Sequence, residues 1–185
     1  MSTAFLGGGC AGLAGGRDGR IRLFDTRVPE RQHSKLHGLL GTLNYNHKSS
    51  IHGLGAEDVM LVSASMDGEV NVWDLRMGNS SLAPSPRPVT KLSSPSRMPS
   101  ACRLGFAVEQ GKVIAAGCDS QVRIWSLHSG QQLHVIPLPA VQGSCTALAL
   151  KQPGNGGPPG LFLAQSDSIV IVGDHTRDEP QSGPR

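Results

Sequence analysis

The sequence predicts an all-β protein assembled from about four copies of one small antiparallel sheet. Three observations point there. Gly 24 and Pro 13 together make about a fifth of the 185 residues, a composition that favours short elements joined by turns. Apolar residues alternate with period two, and helical periodicity is absent throughout. Above all, one pattern recurs. Positions 12–27 read GLAGGRDGRIRLFDTR, 61–76 read LVSASMDGEVNVWDLR, 113–128 read VIAAGCDSQVRIWSLH and 161–174 read LFLAQSDSIVIVGD. The turn aspartates Asp18, Asp67, Asp119 and Asp167 are spaced 49, 52 and 48 residues apart.

Each copy reads as a hairpin. A run of small and apolar residues makes the first strand; Ala14-Gly15-Gly16, Ser63-Ala64-Ser65 and Ala115-Ala116-Gly117 suit a strand packed closely between neighbouring sheets. Asp-Gly or Asp-Ser makes the turn, because Gly tolerates positive φ and Asp bonds nearby amides. Alternation follows in Ile21 and Leu23, Val70 and Val72, Val122 and Ile124, and Val170 and Val172. Further strands are expected before the hairpins at Ser50–Leu54, Cys102–Phe106 and Cys145–Leu150, and after them at Val89–Leu92 and Leu133–Ile136. The first copy has only MSTAFLGGGCA ahead of it, with no evident innermost strand, and the fourth lacks an outer one.

Four short strands per repeat, with Trp73-Asp74 ending the third, is a propeller-blade signature. These residues, with Asp67-Gly68 before them and the echo in Asp18-Gly19 and Phe24-Asp25, resemble the WD-repeat family. Trp125-Ser126 and Gly173-Asp174 depart from it. The resemblance implies that His47, Ser63 or Ser65, Asp67 and Trp73 form a buried network, structural in purpose, since a satisfied polar network fixes one register. Blades are expected over 1–173, with a Ser/Pro-rich insertion at 77–100 and a polar, disordered tail at 174–185. Propellers use about 4–8 blades. At about 40–45 residues a blade a seven-bladed ring needs about 300 residues, so the ring is expected to be incomplete, a part of a longer propeller whose open edges need partners; a closed four-bladed ring is the alternative.

The rest of the sequence argues against several chemistries. Net charge is only +3 and Tyr45 is the sole tyrosine, which disfavours nucleic acid as a partner. Cys10, Cys102, Cys118 and Cys145 are too far apart for a CxxC motif and read as reduced thiols of a nuclear or cytoplasmic protein. No secretory leader, myristoylation signal or run of about 18 apolar residues is evident, so no membrane association is expected. Gly7 to Gly12 spell GxGxxG, but a strand follows where a helix is needed. His33 and His37 lie four apart in a turn region with no acidic residue between them, so no metal or other cofactor is expected. No nucleophile motif suggests an enzyme.

That leaves the arginines. Arg27 follows Asp25, and Arg76 follows Asp74, one repeat apart. On physical grounds alone a local ion pair in a solvated turn is the simpler reading. Yet Leu61–Arg76 is similar to the sixteen-residue WDxR box of WD proteins that bind the adaptor of cullin 4 ubiquitin ligases. The stretches Ile124–His128, Ile136–Pro139 and Gly160–Ala164 suggest the same family. The resemblance implies that Arg27 and Arg76, together with Asp25 and Asp74, form the surface that contacts the adaptor, although Phe24 replaces Trp in the first box. His128 and Ser126 replace Arg and Asp in the third. The implied function is a non-catalytic substrate receptor, with the adaptor and an unnamed substrate as protein partners. The alternative is a general WD-repeat scaffold, in RNA processing or ribosome assembly, without a ligase link.

Overall fold

The computed structural model describes residues 2–6, 10–25, 27, 39–77, 87–92, 105–117, 119–138, 145–151, 160–165 and 168–172. They form four antiparallel sheets, each a meander in chain order. The first holds β1 (Ser2–Phe5), β2 (Ala11–Gly15), β3 (Arg20–Asp25) and β4 (Leu39–Asn46). The second holds β5 (Ile51–Glu57), β6 (Met60–Ser65), β7 (Val70–Asp74) and β8 (Thr90–Leu92). The third holds β9 (Phe106–Glu109), β10 (Lys112–Ala116), β11 (Gln121–Ser126) and β12 (Gln132–Pro137). The fourth holds β13 (Cys145–Lys151), β14 (Gly160–Gln165) and β15 (Ser168–Val172). Among the described residues the one helical element is the 3-10 turn Leu75–Met77.

The innermost strands β1, β5, β9 and β13 lie side by side in that order and all border one cavity of about 360 Å³. β1 corrects the sequence reading, which found no such strand in the first copy. STAF is four residues long with one bulky apolar residue, Phe5, so it carries little hydrophobic signal. Its register is nonetheless full, from Ser2 opposite Gly15 to Phe5 opposite Gly12. The third innermost strand begins at Phe106, where Cys102–Phe106 was expected. Glycines permit close approach here: a side-chain carbon on Gly53 or Gly55 would collide with Phe106 or Val108 of β9.

Successive sheets pack face to face through three apolar clusters. Leu13, Ile21 and Leu43 of the first sheet meet Ile51, Leu54, Leu61 and Trp73 of the second. Val62, Val70 and Val72 of the second meet Val113, Trp125 and Leu127. Ile114, Ala116 and Val122 of the third meet Leu161 and Leu163. A strand exposes two faces of period two, so each blade uses one face forward and the other back.

The first three hairpins close alike. Gly16, Ser65 and Gly117 donate their N–H groups to Arg20, Glu69 and Gln121 carbonyls, leaving three-residue loops whose last member has positive φ: Gly19 at 74°, Gly68 at 88° and Ser120 at 55°. A type I turn ended by a left-handed residue gives this loop. The fourth differs. Gln165 pairs with Ser168, so only residues 166–167 link the strands. One residue fewer reverses which face each side chain takes. Val172 therefore packs back against the third sheet, whereas Val70 and Val72, its expected counterparts, pack forward. Asp167 itself, the tail at 174–185, His33 and His37, and most of the 77–100 insertion lie outside the described residues.

Candidate functional site

Two constellations sit on opposite ends of the second sheet. At the hairpin end, Trp73 Nε1–H donates to Ser63 Oγ at 2.7 Å, and the same hydroxyl lies 2.6 Å from His47 Nε2. The imidazole stands edge-on to the indole, centroids 6.1 Å apart at 85°. Ser63, Trp73 and His47 are all buried. Ser65 sits outside this chain of bonds; its hydroxyl donates to the Ser50 carbonyl at 3.4 Å. Asp67 Oδ1 accepts the Glu69 N–H at 3.0 Å.

A ligand atom from each of His47, Asp67 and Glu69 falls within 4.8 Å of the others. The arrangement that satisfies Ser63 has its hydroxyl accepting from Trp73 and donating to His47 Nε2. In that tautomer His47 Nδ1 carries the ring proton; it is buried without a hydrogen-bond partner among the described residues. Lys91 Nζ, 3.8 Å from Glu69 Oε1, already supplies a cation. Burial holds the His47 imidazole below its ordinary pKa, with the Asp67 charge opposing more weakly, so the neutral ring is the resting form.

Two ion pairs at the neighbouring turns were not anticipated from sequence. Arg22 Nη2 lies 2.6 Å from Asp18 Oδ2, and Arg123 bonds Asp119 in the same way. The Arg22 hydrogen bond takes the Asp18 carboxyl down to about 2. Asn71 holds the corresponding place in the second sheet, where the turn aspartate faces His47 instead. The available signal was arginine four residues after the turn aspartate. A further link, Glu57 accepting the Gly111 N–H at 2.9 Å, joins residues 54 apart and leaves no local pattern.

At the other end are the paired arginines. Asp74 Oδ1 accepts the Arg76 backbone N–H at 2.9 Å, which closes the turn as the 3-10 element begins. Arg76 then folds back on the same carboxylate, Nε to Oδ1 at 2.9 Å and Nη2 to Oδ2 at 2.6 Å. Arg27 repeats this on Asp25, with the backbone at 2.9 Å and Nε and Nη2 both at 3.2 Å. Each arginine side chain is 71% exposed, while Asp25 and Asp74 are 18% and 13% exposed. These bonds hold both carboxyls below, and both guanidiniums above, their ordinary values. Nη1 of each arginine has no hydrogen-bond partner among the described residues. The 3-10 turn is pinned by Leu75 N–H donating to the Val59 carbonyl, as Leu127 N–H donates to the Gly111 carbonyl in the third sheet. There Ser126 Oγ accepts the Ser129 N–H at 3.3 Å, and His128 is exposed with no ion pair in the fork's place.

Antiparallel sheets of three or four strands bordering a common cavity, the first three with an Asp-containing turn and the second braced by a Trp–Ser–His network, have the architecture of WD-repeat β-propeller blades. Residues 38–74 match the family model for the WD domain, G-beta repeat. The fold superposes on the solved WD40 beta propeller domain of Doa1 with a TM-score of 0.67 at 19% identity, covering 94% of this chain and 50% of that one. Among curated proteins, the chain is 30% identical over 112 residues to the DDB1- and CUL4-associated factor 4 of Bos taurus, a match covering 58% of this chain and 21% of that protein. It is 29% identical over 130 residues to the human DDB1- and CUL4-associated factor 4-like protein 2, covering 67% and 31%. The chain thus matches between a fifth and a third of the length of these relatives.

Proposed function

We propose that the chain is a protein-docking module whose rim at Arg27 and Arg76 seats on DDB1, the adaptor of cullin 4 ubiquitin ligases, as part of a substrate receptor. The observation that carries this reading is the repetition of one fork. Two consecutive blades end in the same Asp–Arg clamp, at the same exposure, with the same backbone cap. A clamp fixes the guanidinium plane before any partner arrives, which lowers the ordering cost of binding. It leaves Nη1 for a carboxylate or carbonyl on the partner, and a planar fork makes such contacts better than an ammonium does. The names of the similar proteins supply the adaptor's identity. In this reading the module performs no chemistry; ubiquitin transfer belongs to other subunits, and the substrate meets a different surface.

One observation favours a second reading, a general WD-repeat scaffold. Each guanidinium already spends Nε and Nη2 on its own aspartate, and exposed ion pairs of this kind are often purely local. Co-purification decides between the two. Capture of DDB1 by the tagged chain supports the receptor; a folded chain that captures none leaves the scaffold.

A further inference from the structure

In the first three sheets, the residue just ahead of the second strand stands at the same end as the fork position. In the second sheet it is Val59, next to Met60, which pairs with Asp74. In the first it is Cys10, next to Ala11, which pairs with Asp25. In the third it is Gly111, next to Lys112, which pairs with Ser126. A small thiol or an aliphatic side chain thus accompanies each fork, and glycine stands where Ser126 and His128 replace the fork. Val59 is 40% exposed. It lies in a two-residue turn, since Glu57 pairs with Met60, a place where glycine and small polar residues are the usual choice. The turn is held from both sides. The Val59 carbonyl accepts the Leu75 N–H at 2.9 Å, which ties it to the residue before Arg76. Glu57, at its base, accepts the Gly111 N–H of the third sheet with both carboxylate oxygens at 2.9 Å. Neighbouring sheets of this chain cover both faces of the second sheet, and Val59 sits at a strand end, so further blades of the same polypeptide would leave it uncovered.

We propose that Val59 is a contact residue of the rim that seats on DDB1, packing against an apolar part of that surface beside the acceptor that Arg76 reaches. The inference rests on the receptor reading above and adds an aliphatic contact to its two charged forks. Leu75 joins the two halves of the site: its N–H binds the Val59 carbonyl and Arg76 follows it in the chain, so a surface seated on the fork lies against Val59 as well. Arginine hot spots are ringed by contacts that exclude water, and a hydrogen bond to the guanidinium strengthens in the lower dielectric this creates. The two bonds that hold the turn fix the valine before the partner arrives, which lowers the ordering cost of binding.

Isothermal titration of the chain with DDB1 tests this through three variants. Val59→Ser removes the apolar contact, Val59→Ile keeps it, and Arg76→Ala reports on the fork. Val59→Ser is expected to weaken binding about fivefold, the effect of leaving the exposed part of one aliphatic side chain in water. It is also expected to make the heat-capacity change of binding less negative, the mark of lost apolar burial. Val59→Ile is expected to bind as the parent does, and both valine variants to melt near the parent. Parent affinity in Val59→Ser, with Arg76→Ala weakened, overturns this inference and leaves the receptor reading standing. Equal losses in Val59→Ile and Val59→Ser also overturn it, because the shape of the turn and not its apolar surface would then matter. A parent chain that binds no DDB1 overturns both.

Discussion

Trp73 and His47 are joined through one atom, the Ser63 hydroxyl, which lies 2.7 Å from the indole nitrogen and 2.6 Å from the imidazole. Three segments distant in sequence therefore depend on a side chain of one heavy atom beyond Cβ. Removing that oxygen takes a hydrogen bond from two buried groups at once. Ser63→Ala is expected to cost about 1–3 kcal/mol, the penalty for unpaired buried polar groups. Ser65→Ala, which loses a single long bond, is expected to cost less. Urea denaturation of the two variants checks the order; equal losses would show that Ser63 is not the hub.

The same network makes stability pH-dependent. Burial lowers the His47 pKa in the folded chain, so the unfolded chain takes up the proton first as pH falls. Stability is complete above the ordinary histidine value of about 6.5 and declines as pH drops from there to the folded value. His52 is shifted the same way, also by burial, and contributes with the same sign. His47→Asn is expected to lower the melting temperature at pH 7.5 and to flatten its fall between pH 7 and 5. A slope as steep as the parent's would assign the dependence to His52.

Two turn ion pairs look alike but differ in burial. Arg123 is 5% exposed beside Asp119, whereas Arg22 is 32% exposed beside Asp18. Breaking a buried pair leaves an uncompensated charge, at a cost of about 3–5 kcal/mol, while exposed pairs contribute about 0–1 kcal/mol. The Gln121 Oε1 at 3.0 Å from Arg123 offsets part of that. Asp119→Ala is expected to destabilise clearly more than Asp18→Ala in thermal melts. Similar shifts would mean that the Arg123 charge reaches water.

Much of this fold was legible because the blade repeats. Hairpins at Asp18, Asp67 and Asp119 follow from turn chemistry and alternation, both local signals. What escaped was either too small or one residue out of phase. β1 has Phe5 as its one bulky apolar residue, too little for a period-two signal, and exists because Gly15, Ala14, Leu13 and Gly12 of β2 offer it a paired edge. The fourth hairpin keeps its aspartate in sequence register, yet it closes a residue earlier and turns Ile169 and Ile171 outward. Spacing could not reveal that, because a one-residue slip leaves the alternation intact. Of the residues tied to partner binding, the Arg76 and Arg27 forks could be located by counting from the Trp73 and Phe24 positions. The clamp geometry, and the buried pairing of Arg123, needed side chains placed in space.

The central claim is that the two forks bind DDB1 and do not merely close their own turns. Affinity of the purified chain for DDB1, measured by biolayer interferometry, tests it directly. Interface arginines that act as hot spots cost about 2 kcal/mol or more when truncated, so Arg76→Ala is expected to weaken binding about thirtyfold, and Arg27→Ala with Arg76→Ala to weaken it further. Arg76→Lys should rescue poorly, since an ammonium cannot form a planar two-pronged contact, and His128→Ala should bind as the parent does. Melting temperatures should stay near the parent's, because both side chains are 71% exposed. Unchanged DDB1 affinity in the folded double variant would contradict the account and leave Arg27 and Arg76 as turn residues of a scaffold.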